Sequence, residues 1–164
     1  MQSRVTTRWL VRLYNWEPPV QAFIQRASSR FVNVLRFLNL LLGGEECMTL
    51  AVPWLVGLAF LTQEPWVAFL LGVGLLSSRH VEAWAKPWLG GPPRGRPRDP
   101  AEDGMPSGDC AIVTIWASVL LGWWAVLPIA VVMWTRMALR AHWPLDTVAG
   151  VAQGLLLAGP ALIA

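Results

Sequence analysis

Cysteine is scarce in this sequence. It has only Cys47 and Cys110, and neither stands in the paired spacing of a zinc site or a redox motif. Neither a disulfide framework nor a metal centre is therefore predicted. We interpret both cysteines as residues that pack between helices.

Charge is scarce too: only 14% of the 164 residues are charged, 55% are hydrophobic and the mean hydropathy is +0.46. This composition is too apolar for an ordinary soluble domain of this size. The net charge of +3 comes without the basic blocks of a nucleic-acid-binding protein, so no nucleic-acid partner is expected. The 11 tryptophans, many near the ends of apolar runs, suit the aromatic belts at membrane surfaces. An integral membrane protein surrounded by membrane lipids is predicted.

Five apolar segments are predicted to be helices in the bilayer: 48–62, 65–76, 111–124, 125–137 and 147–163. Several are shorter than the roughly 20 residues that span a membrane, so each must include flanking residues. Gln63-Glu64-Pro65 and Gly122-Trp123-Trp124 are predicted to be tight hairpin turns. The predicted fold is all-α, an integral membrane antiparallel bundle of five to six helices with an N-terminal amphipathic segment.

The chain is divided into that amphipathic segment, residues 1–19, and a membrane-embedded bundle, residues 20–164. Residues 20–42 are predicted to be helical, with apolar side chains spaced along one stripe and several polar ones elsewhere. They form either an interfacial helix or a spanning helix packed against its neighbours. Counting crossings places residues 78–108 and 136–146 on one side, so a polar site is expected at that rim of the bundle.

The first of three polar clusters on this rim contains Lys86, Arg94, Arg96 and Arg98, in a loop rich in glycine and proline. Several cations near one point suit a phosphate group, which guanidinium groups bind in a bidentate manner. The alternative is a solvated basic loop that touches anionic lipid headgroups.

The second cluster is Pro106-Ser107-Gly108-Asp109, directly before an apolar helix. Small residues at a helix N-terminus expose unpaired amides and a hydroxyl group, which bind anions. The alternative is plain helix capping by Ser107 or Asp109.

The third cluster contains Arg136, His142 and Asp146, between the end of one helix and the start of the next. Each has a simpler explanation: a cation at a helix C-terminus, a polar residue at the interface, and a carboxylate at a helix N-terminus. The three clusters occur in order on one rim, which makes coincidence a poor explanation.

These residues resemble the type 2 phosphatidic acid phosphatase superfamily, whose signature is Lys-x6-Arg-Pro, Pro-Ser-Gly-His and Ser-Arg-x5-His-x3-Asp. The third motif matches at Arg136, His142 and Asp146, with threonine at the serine position. The second matches at Ser107 and Gly108, but Asp109 stands in place of the histidine. The first is stretched, because Arg94 and Arg96 lie eight and ten residues after Lys86.

The resemblance implies a lipid phosphatase in which His142 attacks phosphorus, forming a phosphohistidine, while Asp146 orients the ring. Lys86, Arg136, an arginine of the first loop, Ser107 and the Gly108 amide bind the phosphate oxygens. No cofactor or metal is expected, because cationic side chains neutralise the charge that a metal would otherwise neutralise.

Asp109 departs from the family at the residue that protonates the leaving group. An aspartate among many cations is expected to be ionised and a poor acid, so a diphosphate with a good leaving group, such as a polyprenyl diphosphate, is the favoured substrate. Alternatives are an Asp109 that keeps its proton, a proton from His80, or a weak enzyme.

Two other functions remain open. A phosphotransferase would pass the phosphate to a second lipid, and an inactive protein would only bind lipid phosphates or pack with a partner. A bacterial-type inner membrane is the expected location, and the oligomeric state is not predicted. If residues 20–42 span the bilayer, the positive-inside rule places the site outside the cytoplasm; if they lie flat, it places the site inside. We favour the first arrangement, because the family usually begins with a spanning helix.

Overall fold

The computed structural model describes residues 17–42, 65–89 and 105–163, together with Pro53, Gly57 and Phe60. The predicted helix at 48–62, the turn at 63–64 and most of the amphipathic segment 1–19 lie outside the described residues. The described segments are helical and contain no strand.

Six α-helices form the described part of the chain. They are α1 (Glu17–Ser28), α2 (Val32–Leu42), α3 (Pro65–Leu89), α4 (Gly108–Leu121), α5 (Val126–Ala138) and α6 (Pro144–Ile163). Short 3-10 turns at Ser29–Phe31 and Gly122–Ala125 link α1 to α2 and α4 to α5. Four predicted helices are thus confirmed, although α3 continues thirteen residues beyond the predicted end at residue 76.

Helix α3 is buried along one stripe at spacings of three and four residues: Ala68, Leu71, Leu75, Ser78, Glu82 and Ala85. The opposite face exposes Trp66, Phe69, Val73 and Leu76. The buried stripe is apolar in its first half and includes a serine and a glutamate in its second half. Helix α3 therefore begins in a hydrophobic core and ends beside a polar region.

Helices α4 and α5 form the predicted hairpin. Gly122 ends α4 with φ of 53°, a left-handed conformation that suits glycine because it lacks a Cβ atom. Asp109 in the first turn of α4 and Arg136 in the last turn of α5 form an ion pair of 2.7 Å. Since this pair joins the two open ends, the helices are antiparallel.

Helix α6 packs closely along α4 because two glycines face α4. A Cβ atom at Gly154 would lie 2.6 Å from the Ala111 carbonyl oxygen and 2.6 Å from the Thr114 Cβ atom. At Gly150 it would collide with the Ser107 carbonyl oxygen. This close approach brings the start of α6 against the start of α4.

The segment 17–42 runs along one end of the bundle. The Glu17 carboxylate accepts a hydrogen bond from the Leu145 amide, and the Asn39 side chain accepts one from Arg136. A straight helix from Glu17 to Asn39 would be about 33 Å long at 1.5 Å per residue. Because both ends contact residues at the same end of the α5–α6 hairpin, these contacts favour the interfacial arrangement of residues 20–42 over the spanning one.

The face that α1 turns inward is polar. Its buried residues are Glu17, Gln21, Ile24 and Ser28, whereas Phe23 is 66% exposed. The predicted apolar stripe of residues 20–42 is therefore not one buried face, since Ile24 and Leu35 are buried but Phe31 is exposed. The outward face exposes Arg26 together with Phe23, which suits a helix at the boundary between lipid and water.

Among the described residues, two helical stretches are long and apolar enough to cross a membrane by length and composition, 108–138 and 144–163. The first is divided at Gly122, and Trp123 and Trp124 at its tip are 97% and 72% exposed. Outward-facing Leu156 and Ile163 on α6 are 80% and 88% exposed. Exposed apolar side chains of this size support a membrane location.

We expect Gly154→Ala to destabilise the α4–α6 packing by about 1–3 kcal/mol, because the added methyl group overlaps Ala111 and Thr114. Gly159→Ala is the matched control, since a Cβ atom there has nothing within 4 Å. Thermal unfolding in detergent should show a lower Tm for the first variant and an unchanged or higher Tm for the second. Equal Tm values for the two variants would contradict this packing.

Candidate active site

The end of α5 explains why Arg136 and His142 lie together. Arg140 has φ of 59°, its amide donates to the Met137 carbonyl at 3.1 Å, and the Ala141 amide donates to the Arg136 carbonyl at 2.9 Å. This pair of bonds is a Schellman motif, which ends a helix by reversing the chain. The His142 amide also donates to the Arg136 carbonyl, at 3.2 Å. Five intervening residues therefore return His142 to the helix turn that carries Arg136.

His142 is buried directly before α6, and Asp146 lies in the first turn of that helix. The Asp146 Oδ2 atom accepts the Trp143 amide at 3.0 Å, which is one half of a capping box, and lies 3.8 Å from His142 Nδ1. Pro144 is the first residue of α6. The helix start thus aims one carboxylate at the imidazole ring. The pair needs to approach by about 1 Å to form a hydrogen bond, and catalytic hydrogen bonds often shorten this way when substrate binds.

Ser107 and Gly108 begin α4 beside the same turn. The Ser107 amide donates to the Asp146 carbonyl at 2.9 Å, which ties the start of α4 to the start of α6. The Ser107 side chain makes no capping bond to α4. Its buried hydroxyl oxygen neighbours the Cys110 thiol and has no hydrogen-bond partner of good geometry among the described residues. The hydroxyl is thus held inside the site without serving as a helix cap.

Asp109 and Arg136 form the central ion pair of the site. One guanidinium nitrogen, Nη1, contacts both Asp109 Oδ2 at 2.7 Å and Asn39 Oδ1 at 3.1 Å. The buried Arg136 Nε atom has no hydrogen-bond partner among the described residues. Arg136 is therefore fixed in place by two side chains while part of its guanidinium group can still donate.

Glu82 brings a second carboxylate to the start of α4. Its side chain is buried and lies against Gly108, where a Cβ atom would collide with the carboxylate. Arg79, one turn earlier on α3, lies 4.0 Å from it. Only glycine at position 108 allows this approach. His80 lies on the opposite, exposed face of α3, so the structure does not bring it to the site.

The first predicted cluster is described only in part. Lys86 lies in the last turn of α3, one helical turn after Glu82, and not in a loop as expected. The helix continues past it because the glycine- and proline-rich sequence begins only after Leu89. Arg94, Arg96 and Arg98 lie outside the described residues. The structure thus brings the second and third clusters together and directs the end of α3 toward them.

Four residues of the site were missed by sequence reasoning: Glu17, Gln21, Asn39 and Glu82. Each is a polar residue in a chain of apolar composition, a signal that can indicate a specific role inside a membrane protein, but each has other polar residues nearby in the sequence that obscure this signal. None belongs to the motifs, which drew attention to residues 86–146 only. The hydrogen bonds of Glu17, Gln21 and Asn39 join segments about one hundred residues apart, and no local spacing predicts them.

The arrangement is suited to phosphoryl transfer. A buried histidine faces a carboxylate, and an arginine is held on the adjacent helix turn. A helix N-terminus that begins with a serine and a glycine lies beside them. Among the described residues, no group of three or more His, Cys, Asp and Glu residues has the geometry to hold a metal ion.

Comparison with known proteins supports the same class. The family model of the PAP2 superfamily matches residues 66–163, more than half of the 164 residues. The chain therefore belongs to the PAP2 superfamily, which comprises the type 2 phosphatidic acid phosphatases that its motifs resemble. No curated protein and no solved structure matches the chain. Membership supports a phosphatase of the lipid phosphate type.

Proposed function

We propose that this protein hydrolyses a lipid phosphate or diphosphate through a phosphohistidine at His142. The observation that carries the proposal is the His142 ring, which faces Asp146 on a turn that also fixes Arg136. A histidine oriented by a carboxylate is the arrangement of an activated nucleophile or base, and the adjacent guanidinium group suits the charge of a phosphoryl group.

In the proposed reaction the Nε2 atom of His142 attacks phosphorus as the bond to the leaving oxygen breaks. Asp146 accepts the Nδ1–H and stabilises the positive charge that develops on the ring. Arg136, the Ser107 hydroxyl and the Gly108 amide bind the equatorial oxygens, joined by Lys86 and by Arg94 or Arg96. Water then attacks the phosphohistidine, releases inorganic phosphate and restores the neutral imidazole.

A polyprenyl diphosphate or a similar lipid diphosphate is the substrate class that the Asp109 geometry favours. Asp109 binds Arg136 at 2.7 Å, which is the distance of a carboxylate held by a guanidinium group. In this contact Asp109 serves as a partner of Arg136, a different role from that of the histidine that protonates the leaving group in the family. A diphosphate releases a phosphate ester that leaves with little protonation, whereas a monoester releases an alkoxide that needs a proton.

Transfer of the phosphate to a second lipid remains the alternative outcome for the same intermediate. A chain that binds lipid phosphate without turnover is the other alternative, and replacement of the family histidine by Asp109 motivates it. Product analysis with labelled substrate separates the first from hydrolysis, and a turnover assay decides the second.

We expect His142→Ala to lower phosphate release in detergent to no more than a few per cent, because the nucleophile is lost. His80→Ala is the matched control, since His80 is the only other histidine and is exposed. With a substrate carrying radioactive phosphate, an acid-labile phosphoenzyme should form in the His80 variant and not in the His142 variant. A phosphoenzyme in the His142 variant would remove His142 as the nucleophile.

Asp109→His should raise kcat/KM for monoesters relative to diphosphates by about a hundredfold, since a general acid helps only the poorer leaving group. Asp109→Asn is the matched control, because it removes the same charge beside Arg136 without adding an acid. Its ratio of the two kcat/KM values should remain at the original level. A selective loss of monoester activity in Asp109→Asn would show that Asp109 already acts as the acid.

We infer that the site faces the cytoplasm of a bacterial-type cell. All 13 Lys and Arg residues occur within residues 4–36, 79–98 and 136–140, and none occurs in the hairpin tip at 122–125. The Lys and Arg residues that the structure describes lie on segments at the same rim as the site. Because residues 17–42 follow that rim, the positive-inside rule places it on the cytoplasmic side, and not outside as the spanning arrangement required.

Cysteine labelling in whole cells tests this orientation. In a chain with Cys47 and Cys110 replaced by serine, Arg140→Cys marks the exposed rim and Trp123→Cys marks the opposite tip. An impermeant maleimide should label position 123 in intact spheroplasts and position 140 only after permeabilisation. The reverse labelling pattern would place catalysis outside the cytoplasm.

A further inference from the structure

Helix α1 contacts both helices that flank the His142 turn, which we define as residues 139–143. Gln21 Nε2 donates to the Met137 carbonyl at 2.7 Å, in the last turn of α5. Glu17 Oε1 accepts the Leu145 amide at 2.9 Å, in the first turn of α6. One helix therefore bonds to the backbone before and after the His142 turn.

Both bonds are to backbone groups at helix ends, where partners within the helix are missing. The last carbonyls of α5 and the first amides of α6 have no partner within their own helices. Glu17 is 1% exposed and Gln21 is 4% exposed, so water has little access to these contacts. Losing the Glu17 side chain would leave the buried Leu145 amide without this bond, and the start of α6 would have to move to satisfy it. Losing Gln21 is expected to have a smaller effect, because the Met137 carbonyl also accepts the Arg140 amide at 3.1 Å.

The spacing along α1 matches the two ends of the turn. Glu17 and Gln21 are four residues apart and share one face of the helix, as do Ile24 and Ser28 further along. Ser28 accepts a bond from the Trp134 indole at 2.8 Å, a contact with α5 that does not involve the His142 turn. Two residues of this face thus bind the turn's flanking helices at their ends, and one binds α5 elsewhere.

Glu17 and Gln21 lie outside residues 66–163, the part of the chain that the family model matches. We propose that they are positioning residues for His142: they fix the end of α5 against the start of α6 and so set the direction of the imidazole ring. The proposal rests on the proposed function, because it assigns them an effect on the His142 reaction.

The expected effect is on the reaction step more than on binding. His142 Nδ1 and Asp146 Oδ2 are already 3.8 Å apart, so a further shift of α6 would separate the ring from the carboxylate that orients it. A misplacement of about 1 Å can cost on the order of a hundredfold in rate. Gln21 and Glu17 bond to the backbone of α5 and α6, whereas the proposed phosphate-binding groups Ser107 and Gly108 are at the start of α4, so substrate affinity is expected to change less than kcat.

The experiment compares Glu17→Ala and Gln21→Ala with Ser28→Ala, which removes a bond of similar length from the same face of α1. Glu17→Ala should lower kcat about tenfold to a hundredfold with KM within about twofold, and Gln21→Ala should act in the same direction. Ser28→Ala should lower the Tm comparably while kcat stays within about twofold. Glu17→Gln keeps a carbonyl oxygen for the Leu145 amide and should recover most of kcat.

A second readout does not depend on turnover. The rate at which diethyl pyrocarbonate modifies His142, measured by mass spectrometry against His80 in the same chain, should rise in Glu17→Ala and not in Ser28→Ala. Equal losses of kcat in the two variants, or an unchanged His142 reactivity in Glu17→Ala, would overturn the proposal. Absence of turnover in the unaltered protein would instead contradict the proposed function. The modification rates would still show whether Glu17 positions His142.

Discussion

The carbonyl oxygen of Arg136 is the atom on which the site depends. It accepts amide hydrogens from both Ala141 and His142, at 2.9 and 3.2 Å, and thereby reverses the chain at the end of α5. The same reversal starts α6 at Pro144, which places Asp146 where its carboxylate meets both the Trp143 amide and the His142 ring. The motif spacing, with five residues between Arg136 and His142 and three between His142 and Asp146, is therefore the length of one turn between two helices. That turn is what brings the three side chains together.

Local chemistry made much of this predictable. The turn at Gly122 and the start of α6 at Pro144 follow from signals within a few residues of each position. The approach of Ser107 to Arg136 and Asp146 follows from counting the crossings of successive antiparallel helices. Apolar periodicity identified α3 to α6, because a stripe of buried residues repeats at helical spacing. Apolar periodicity did not predict the second half of α3, because the buried stripe there contains Ser78 and Glu82, which are polar.

The segment 17–42 shows why the remainder could not be predicted. Reasoning from soluble proteins assumes that apolar side chains face a core, but here Phe23 and Phe31 face outward and Glu17 and Gln21 face inward. In lipid, apolar contact gains little from burial, whereas a buried backbone group without a partner is costly. The polar face is then the one that packs. Which backbone groups it meets depends on the end of α5 and the start of α6, more than one hundred residues further along the chain.

The charges around Gly108 impose a condition on any substrate. Asp109 binds Arg136 and the Glu82 carboxylate lies against Gly108, so the start of α4 already has two carboxylates beside it. Two like charges about 4 Å apart repel by roughly 4 kcal/mol near a protein surface, and a phosphate at the α4 N-terminus would meet such repulsion. It can bind there only if cations compensate for it or if a carboxylate moves away. Arg136 already contacts one of these carboxylates and Arg79 lies 4.0 Å from the other, so both of these described cations are engaged before any phosphate binds.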